Sequence, residues 1–206
     1  MSKTKSAWTV RGIVFSAMFS ALMVAMSFMQ IHLGFTPVPI TLETMAIMLA
    51  GGILGAAYGF LSIFTVVFLV FLGLPLLHGQ GGLPLVTGPT GGFIWMFPIS
   101  ALLVGWTVSR IKGTGTAAFI KIFLAIEIFG SLLLYITGVP WLAHKVQVSF
   151  SKAMLMGCTP YLIPDALKAL AATAVVIAVR KAFPAWSAAG SSRPNVVADN
   201  NQTLSR

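Results

Sequence analysis

Uncharged apolar runs separated by glycine, proline and basic residues set the rhythm of this chain. The first runs from Gly12 to Ile31 without a charged side chain, directly after Lys3, Lys5 and Arg11. It is longer than the ~7–15 residues of a signal-peptide core and lacks a clean small-x-small cleavage site, so it reads as a retained first span. Between Glu43 and Arg110 no Asp, Glu, Lys or Arg occurs. A bilayer crossing takes ~20 apolar residues, so that stretch holds three crossings with their connections. The pattern predicts spans at about Ile40–Ala57, Gly59–Leu77 and Gly91–Val108, then Ala118–Thr137 and Pro160–Val179. Gly51, Gly52, Gly55 and Gly59 permit a tight turn or close helix approach between the second and third spans. The glycines and prolines of 75–90 mark a loop.

The expected fold is therefore an all-α membrane bundle of about six helices over residues 1–183, followed by a polar, disordered tail over 184–206. Composition agrees: hydrophobic residues make up 57% of the 206 positions and charged residues 8%. Basic residues outnumber acidic ones 13 to 4. They sit at the ends of apolar runs, not in one stripe, so they report topology and not nucleic acid. Six spans with both termini in the cytoplasm put Lys3, Lys5, Arg11, Arg110, Lys112, Arg180 and Lys181 inside, leaving mainly Lys145 and Lys152 outside. The outer loops, near 32–39, 75–90 and 138–152, then carry all three histidines. A bundle with elaborate outer loops suits a receptor for an extracellular small molecule in the cell membrane.

The chain contains no GxxxxGK[ST] phosphate loop, GxGxxG, HExxH or GxSxG, so an ATP-driven step calls for a partner and no cofactor or metal is expected. Acids near the bilayer then carry the interest, because an ionisable group in a span by default faces the bundle interior or a cavity. Asp165 and Lys168 lie three residues apart, on one face of a helix that starts near Pro164. They are either a helix-end acid with its counter-ion or a pair projecting into an outward-facing pocket. Glu43, at the start of the second span, fits capping and pocket roles equally. Glu127 lies mid-span, where protonation or a bond across the bundle is expected. Gln80 offers donor and acceptor from a glycine-rich outer loop. Trp95, Trp141 and Tyr161, with Phe93, are pocket walls or interfacial anchors. Ala17, Ala21 and Ala25 recur every four residues and form a smooth stripe, either for packing inside the bundle or for docking another subunit. Cys158, the single cysteine, reads as packing.

The segments PVPITLE (37–43), LGLPLL (72–77), HGQGG (78–82), GPTGG (88–92), GVPWL (138–142) and IPDALKA (163–169) occur in order across nearly the whole chain. Together they resemble the BioY family, the biotin-binding S components of energy-coupling factor (ECF) transporters. The resemblance implies biotin as ligand, no enzymatic activity, and partnership with a transmembrane coupling subunit and two ATPases. It also implies ligand contacts at Asp165, Lys168 and Gln80. The chain departs from the common family pattern at Glu43 (commonly Gln), at Pro164-Asp165 (commonly Pro-Gly-Asp) and at Phe93 (often Tyr). At Ile94 it lacks a basic residue sometimes present there. An S component for another small vitamin, or a membrane-embedded lipid-modifying enzyme using Glu43 or Asp165, are the alternative readings.

Overall fold

The computed structural model describes residues 9–183, so the expected polar tail and the basic residues Lys3 and Lys5 lie outside the described residues. Helix α1 (Val10–Ser27) starts where Thr9 accepts a hydrogen bond from the Gly12 N–H, an N-cap that satisfies one of the helix's free donors. After it, β1 (Gln30–Ile31) pairs antiparallel with β2 (Ile40–Thr41) to form a small strap. The strap shortens two predicted spans. The first ends at Ser27 and the second begins only at Glu43, because Gln30–Ile31 and Ile40–Thr41 pair with each other instead of continuing a helix.

Helix α2 (Glu43–Phe71) is two limbs joined at Gly55, whose φ of 80° and ψ of −177° lie outside the helical region. The chain reverses there: a Cβ on Gly59 would come within 3.0 Å of the Ala50 carbonyl and the Gly51 Cα. Two helix backbones meet at that distance only where side chains are absent. The predicted tight turn between spans two and three is therefore present, and it turns the five long apolar segments among the described residues into six crossings.

Short helices α3 (Leu83–Val86) and α4 (Gly91–Ile94) lead into α5 (Phe97–Arg110). Helix α6 (Thr116–Glu127) passes through a π turn (Ile128–Leu132) into α7 (Leu133–Val146). The expected outer loop at 138–152 is largely helix instead. Pro140 does not stop α7, which runs on to Val146 and ends at Gln147 in the left-handed region. Proline is tolerated in membrane helices where neighbouring groups satisfy the freed backbone. Helix α8 (Phe150–Gly157), capped by Ser149, and a 3₁₀ turn (Thr159–Tyr161) fill the rest of the way to α9 (Leu162–Ala182).

The bundle is apolar outside and polar in its seams. Met18, Ile136, Ile163 and Leu167 are well exposed, as lipid requires, whereas Ser16, Ser62, Ser100 and Ser131 are buried. Ser20 donates to the Ser62 carbonyl (2.8 Å) and Ser100 to that of Phe129 (2.6 Å), bonds worth ~0.6 kcal/mol each between membrane helices.

One end gathers the start of α1, the Gly55 turn and the ends of α5 and α9. There the Thr9 N–H donates to the Tyr58 hydroxyl, and Arg180 donates to the Val108 and Ile111 carbonyls. Arg11, Arg110, Lys112, Arg180 and Lys181 belong to this end, which the positive-inside rule assigns to the cytoplasm. The other end carries the strap, the 72–90 loop, α8 and the starts of α2 and α9.

Candidate functional site

Two helices begin side by side at the outer end, and their first turns supply the charged groups of an internal chamber. Helix α9 contributes Asp165 and, one turn later, Lys168. Their side chains pair at 2.7 Å, with residue exposures of only 4% and 8%. That burial argues against a solvated helix-end pair. A pair withdrawn from water loses solvation that its attraction scarcely recovers, so it needs further partners or a function.

Asp165 has those partners. Lys168 Nζ and Thr44 Oγ1 (3.3 Å) donate to its Oδ1, while Tyr135 OH (2.5 Å) and Ser131 Oγ (3.4 Å) donate to its Oδ2. Lys168 Nζ also donates to Thr44 Oγ1 at 3.2 Å, leaving one of its three N–H groups uncommitted. Ser131 lies in the π turn and Tyr135 in the first turn of α7. Single π turns inside α-helices are frequent at functional sites.

Helix α2 contributes Glu43 and Thr44. An acid in the first turn is favoured by the helix dipole, and Thr41 Oγ1 donates to Glu43 Oε2 at 3.3 Å. Glu43 Oε1 lies 2.9 Å from Nε2 of His78, yet the two are not aligned as a hydrogen bond, and both atoms are buried without another partner among the described residues. Burial works to lower the His78 pKa, but the Glu43 carboxylate beside it outweighs that effect, so the imidazole is held above its ordinary value.

Around these polar groups Val38, Phe93, Ile94, Phe97, Leu134 and Tyr161 make apolar walls. A mostly apolar space with a few oriented polar groups is the usual form of a small-molecule site. Tyr161 donates its hydroxyl to the Val38 carbonyl and Thr36 donates to that of Met156 (2.7 Å), tying the strap over the chamber. Outside lies a wider vestibule with Gln30, His32, Gln80 and Pro84 on its walls, and Pro39, His78 and Thr90 line both spaces.

Of the residues singled out from sequence, the structure brings together Asp165, Lys168, Glu43 and Tyr161. Gln80 faces the vestibule. Trp95 and Trp141 are not chamber walls: an indole N–H needs an acceptor in an apolar setting, and these two find theirs in the loop. Trp95 donates to the Val86 carbonyl (2.9 Å) and Trp141 to that of Gly88 (2.8 Å), so Trp141 braces the GPTGG segment and Trp95 the end of α3 just before it. Ala17, Ala21 and Ala25 are exposed, on the face of α1 away from its buried serines. Glu127 lies apart from the chamber lining. Sequence reasoning missed His78, Thr44, Ser131 and Tyr135. The only signal for Thr44 was its place next to Glu43.

The family model described as BioY family matches residues 1–185. The chain belongs to the BioY family. Among BioY relatives, the biotin transporter of Rhizobium etli is 36% identical over 85% of this chain and 96% of its own length. The probable biotin transporter of Pyrococcus horikoshii is 40% identical over 73% and 85%. The crystal structure at 2.1 Å of the S-component for biotin from an ECF-type ABC transporter matches with a TM-score of 0.77. Identity there is 29%, covering 88% of this chain and 95% of that one.

Proposed function

We propose that this chain is the biotin-capturing S component of an ECF-type transporter, a multi-pass membrane protein and not an enzyme. The observation that carries the reading is the buried Asp165–Lys168 pair, set in an apolar chamber at the outer end of a BioY-family bundle. Biotin joins a polar ureido head to an apolar ring and chain that end in a carboxylate. Asp165 accepts a ureido N–H and the uncommitted N–H of Lys168 donates to the ureido oxygen. Asp165 already has a full set of donors, so a ligand N–H displaces one. Thr44 and Ser131, at 3.3 and 3.4 Å, are the weakest held. Tyr161 and Phe93 cover the ring, Glu43 lines the chamber beside His78, and Gln80 meets the ligand in the vestibule on its way in.

Uptake needs work from partners: a transmembrane coupling subunit and two ATPases. The exposed stripe at Ala17, Ala21 and Ala25 offers the coupling subunit a surface for close helix approach. The test is equilibrium binding of labelled biotin to the purified full chain in detergent, with unlabelled biotin or thiamine as competitor. Displacement by biotin alone is expected; no saturable biotin binding, or equal displacement by thiamine, contradicts the reading.

A further inference from the structure

The chamber's charges do not balance until His78 is counted. Asp165 and Lys168 cancel, and Glu43 adds a negative charge with no second lysine or arginine among the described lining residues to meet it. An anionic group entering beside Glu43 and a neutral His78 meets net repulsion at low dielectric. With His78 charged, the set is neutral and a protonated imidazole has a second N–H beyond the one beside Glu43.

The backbone holds His78 at this spot. Leu77 and Gln80 exchange hydrogen bonds at 3.2 and 2.7 Å around a two-residue turn, in which His78 has φ 53° and Gly79 φ 73°. Two consecutive positive φ values define a type I′ turn, a conformation that costs a non-glycine residue energy. The His78 N–H is tied to the Ser27 Oγ at 3.2 Å, and Ser27 is fully buried. The side chain thus stands, about nine-tenths buried, where chamber and vestibule meet. A ligand whose head lies at Asp165 and Lys168 extends its tail towards that opening.

We infer that His78, as a cation backed by Glu43, is the residue that recognises the ligand's terminal carboxylate. This rests on the biotin reading above and adds the tail contact to it. Glu43 from α2 lies against the imidazole, and the other titratable groups lining the chamber with it are Asp165 and Lys168 from α9, Tyr135 from α7 and Tyr161 from the 3₁₀ turn. His32 and Gln80 stand on the vestibule side. Because Glu43 holds the His78 pKa up, the contact is complete at low pH and is lost as pH rises through that raised value. A ligand carboxyl with an ordinary pKa is ionised above about pH 5.5, so it does not contribute to the change.

The test titrates the purified full chain and His78→Asn with biotin and with its uncharged primary amide, from about pH 5.5 to 8.5. Asparagine accepts the left-handed backbone, so the turn is kept. The wild type should bind the acid about tenfold more weakly at the top of the range than at the bottom, and the amide equally throughout. His78→Asn should bind the acid about tenfold more weakly at low pH, without pH dependence, and leave amide affinity within about twofold. A pH-independent acid affinity in the wild type overturns the inference, as does equal loss of acid and amide in the variant. Wild type that binds neither ligand at any pH instead overturns the biotin reading, and this inference with it.

Discussion

The chamber contains two acid–base pairs, and they differ in how completely they are satisfied. Asp165 and Lys168 meet at 2.7 Å, and Thr44, Ser131 and Tyr135 fill the remaining positions on the carboxylate. Glu43 and His78 come as close as 2.9 Å but leave Oε1 and Nε2 without an aligned bond. The first pair is a rigid anchor whose geometry is set before a ligand arrives. The second keeps spare hydrogen-bonding capacity and a proton that the Glu43 carboxylate holds on the imidazole above its ordinary pKa. In the proposed binding mode the first fixes a neutral polar head and the second meets a charged tail.

The largest expected effect comes from breaking the anchor. Asp165→Asn keeps the shape but leaves Lys168 buried without a counter-ion, so biotin affinity should fall roughly ten- to a hundredfold. Stability should drop by ~3–5 kcal/mol, the usual consequence of breaking a buried pair. Ligand titration and thermal unfolding in detergent measure the two. Full affinity in this variant would show that the anchor is only structural.

Tyr135→Phe separates frame from contact. It removes one charge-assisted donor from Asp165, so stability should fall by ~1.5–3 kcal/mol. The freed lone pair is then open to a ligand N–H, and affinity should change by less than about threefold on the same scale. A loss as large as that of Asp165→Asn would make the Tyr135 hydroxyl itself a ligand contact.

These two pairs also mark how far the sequence could be read. Lipid demands long apolar runs, so the six crossings and the Gly55 turn were legible from composition and glycine spacing. Helical periodicity put Asp165 and Lys168 on one face. The donors that complete Asp165 come from 30 and 34 residues away, through a π turn that no local pattern announces. Glu43 and His78 meet only because the 72–82 loop folds back over the start of α2. The outer loop expected at 138–152 from the span count is instead largely helix, because α7 continues through Pro140 to Val146, a proline that membrane helices tolerate where neighbouring groups satisfy the freed backbone. Trp95 and Trp141 lie near the site in sequence terms, but the need of each indole N–H for a carbonyl placed them behind the loop.

Smaller effects probe the second pair. Glu43→Gln removes the charge that holds the His78 pKa up, so the pH dependence of biotin binding should move to lower pH. The unliganded protein should respond as well. A histidine with a raised folded pKa contributes stability that is complete below its unfolded pKa of about 6.5 and is lost as pH rises through the folded value. Thermal unfolding of the wild type should therefore weaken across that window, and Glu43→Gln should flatten the profile. Identical profiles would mean that Glu43 does not charge His78.

Ala21→Trp should have the smallest effect on the chamber, since the stripe lies on the outer face of α1. Biotin affinity of the isolated chain should stay within about twofold of wild type, while co-purification with the coupling subunit should be lost. Loss of affinity with assembly intact would place the stripe in the bundle's own packing.

The most direct test of the account is an experimental structure of the full chain with biotin bound. Density for the ureido ring within hydrogen-bond reach of both Asp165 and Lys168, with the carboxylate beside His78, is the predicted result. Biotin held in the outer vestibule around His32 and Gln80, with the inner chamber empty, would contradict it.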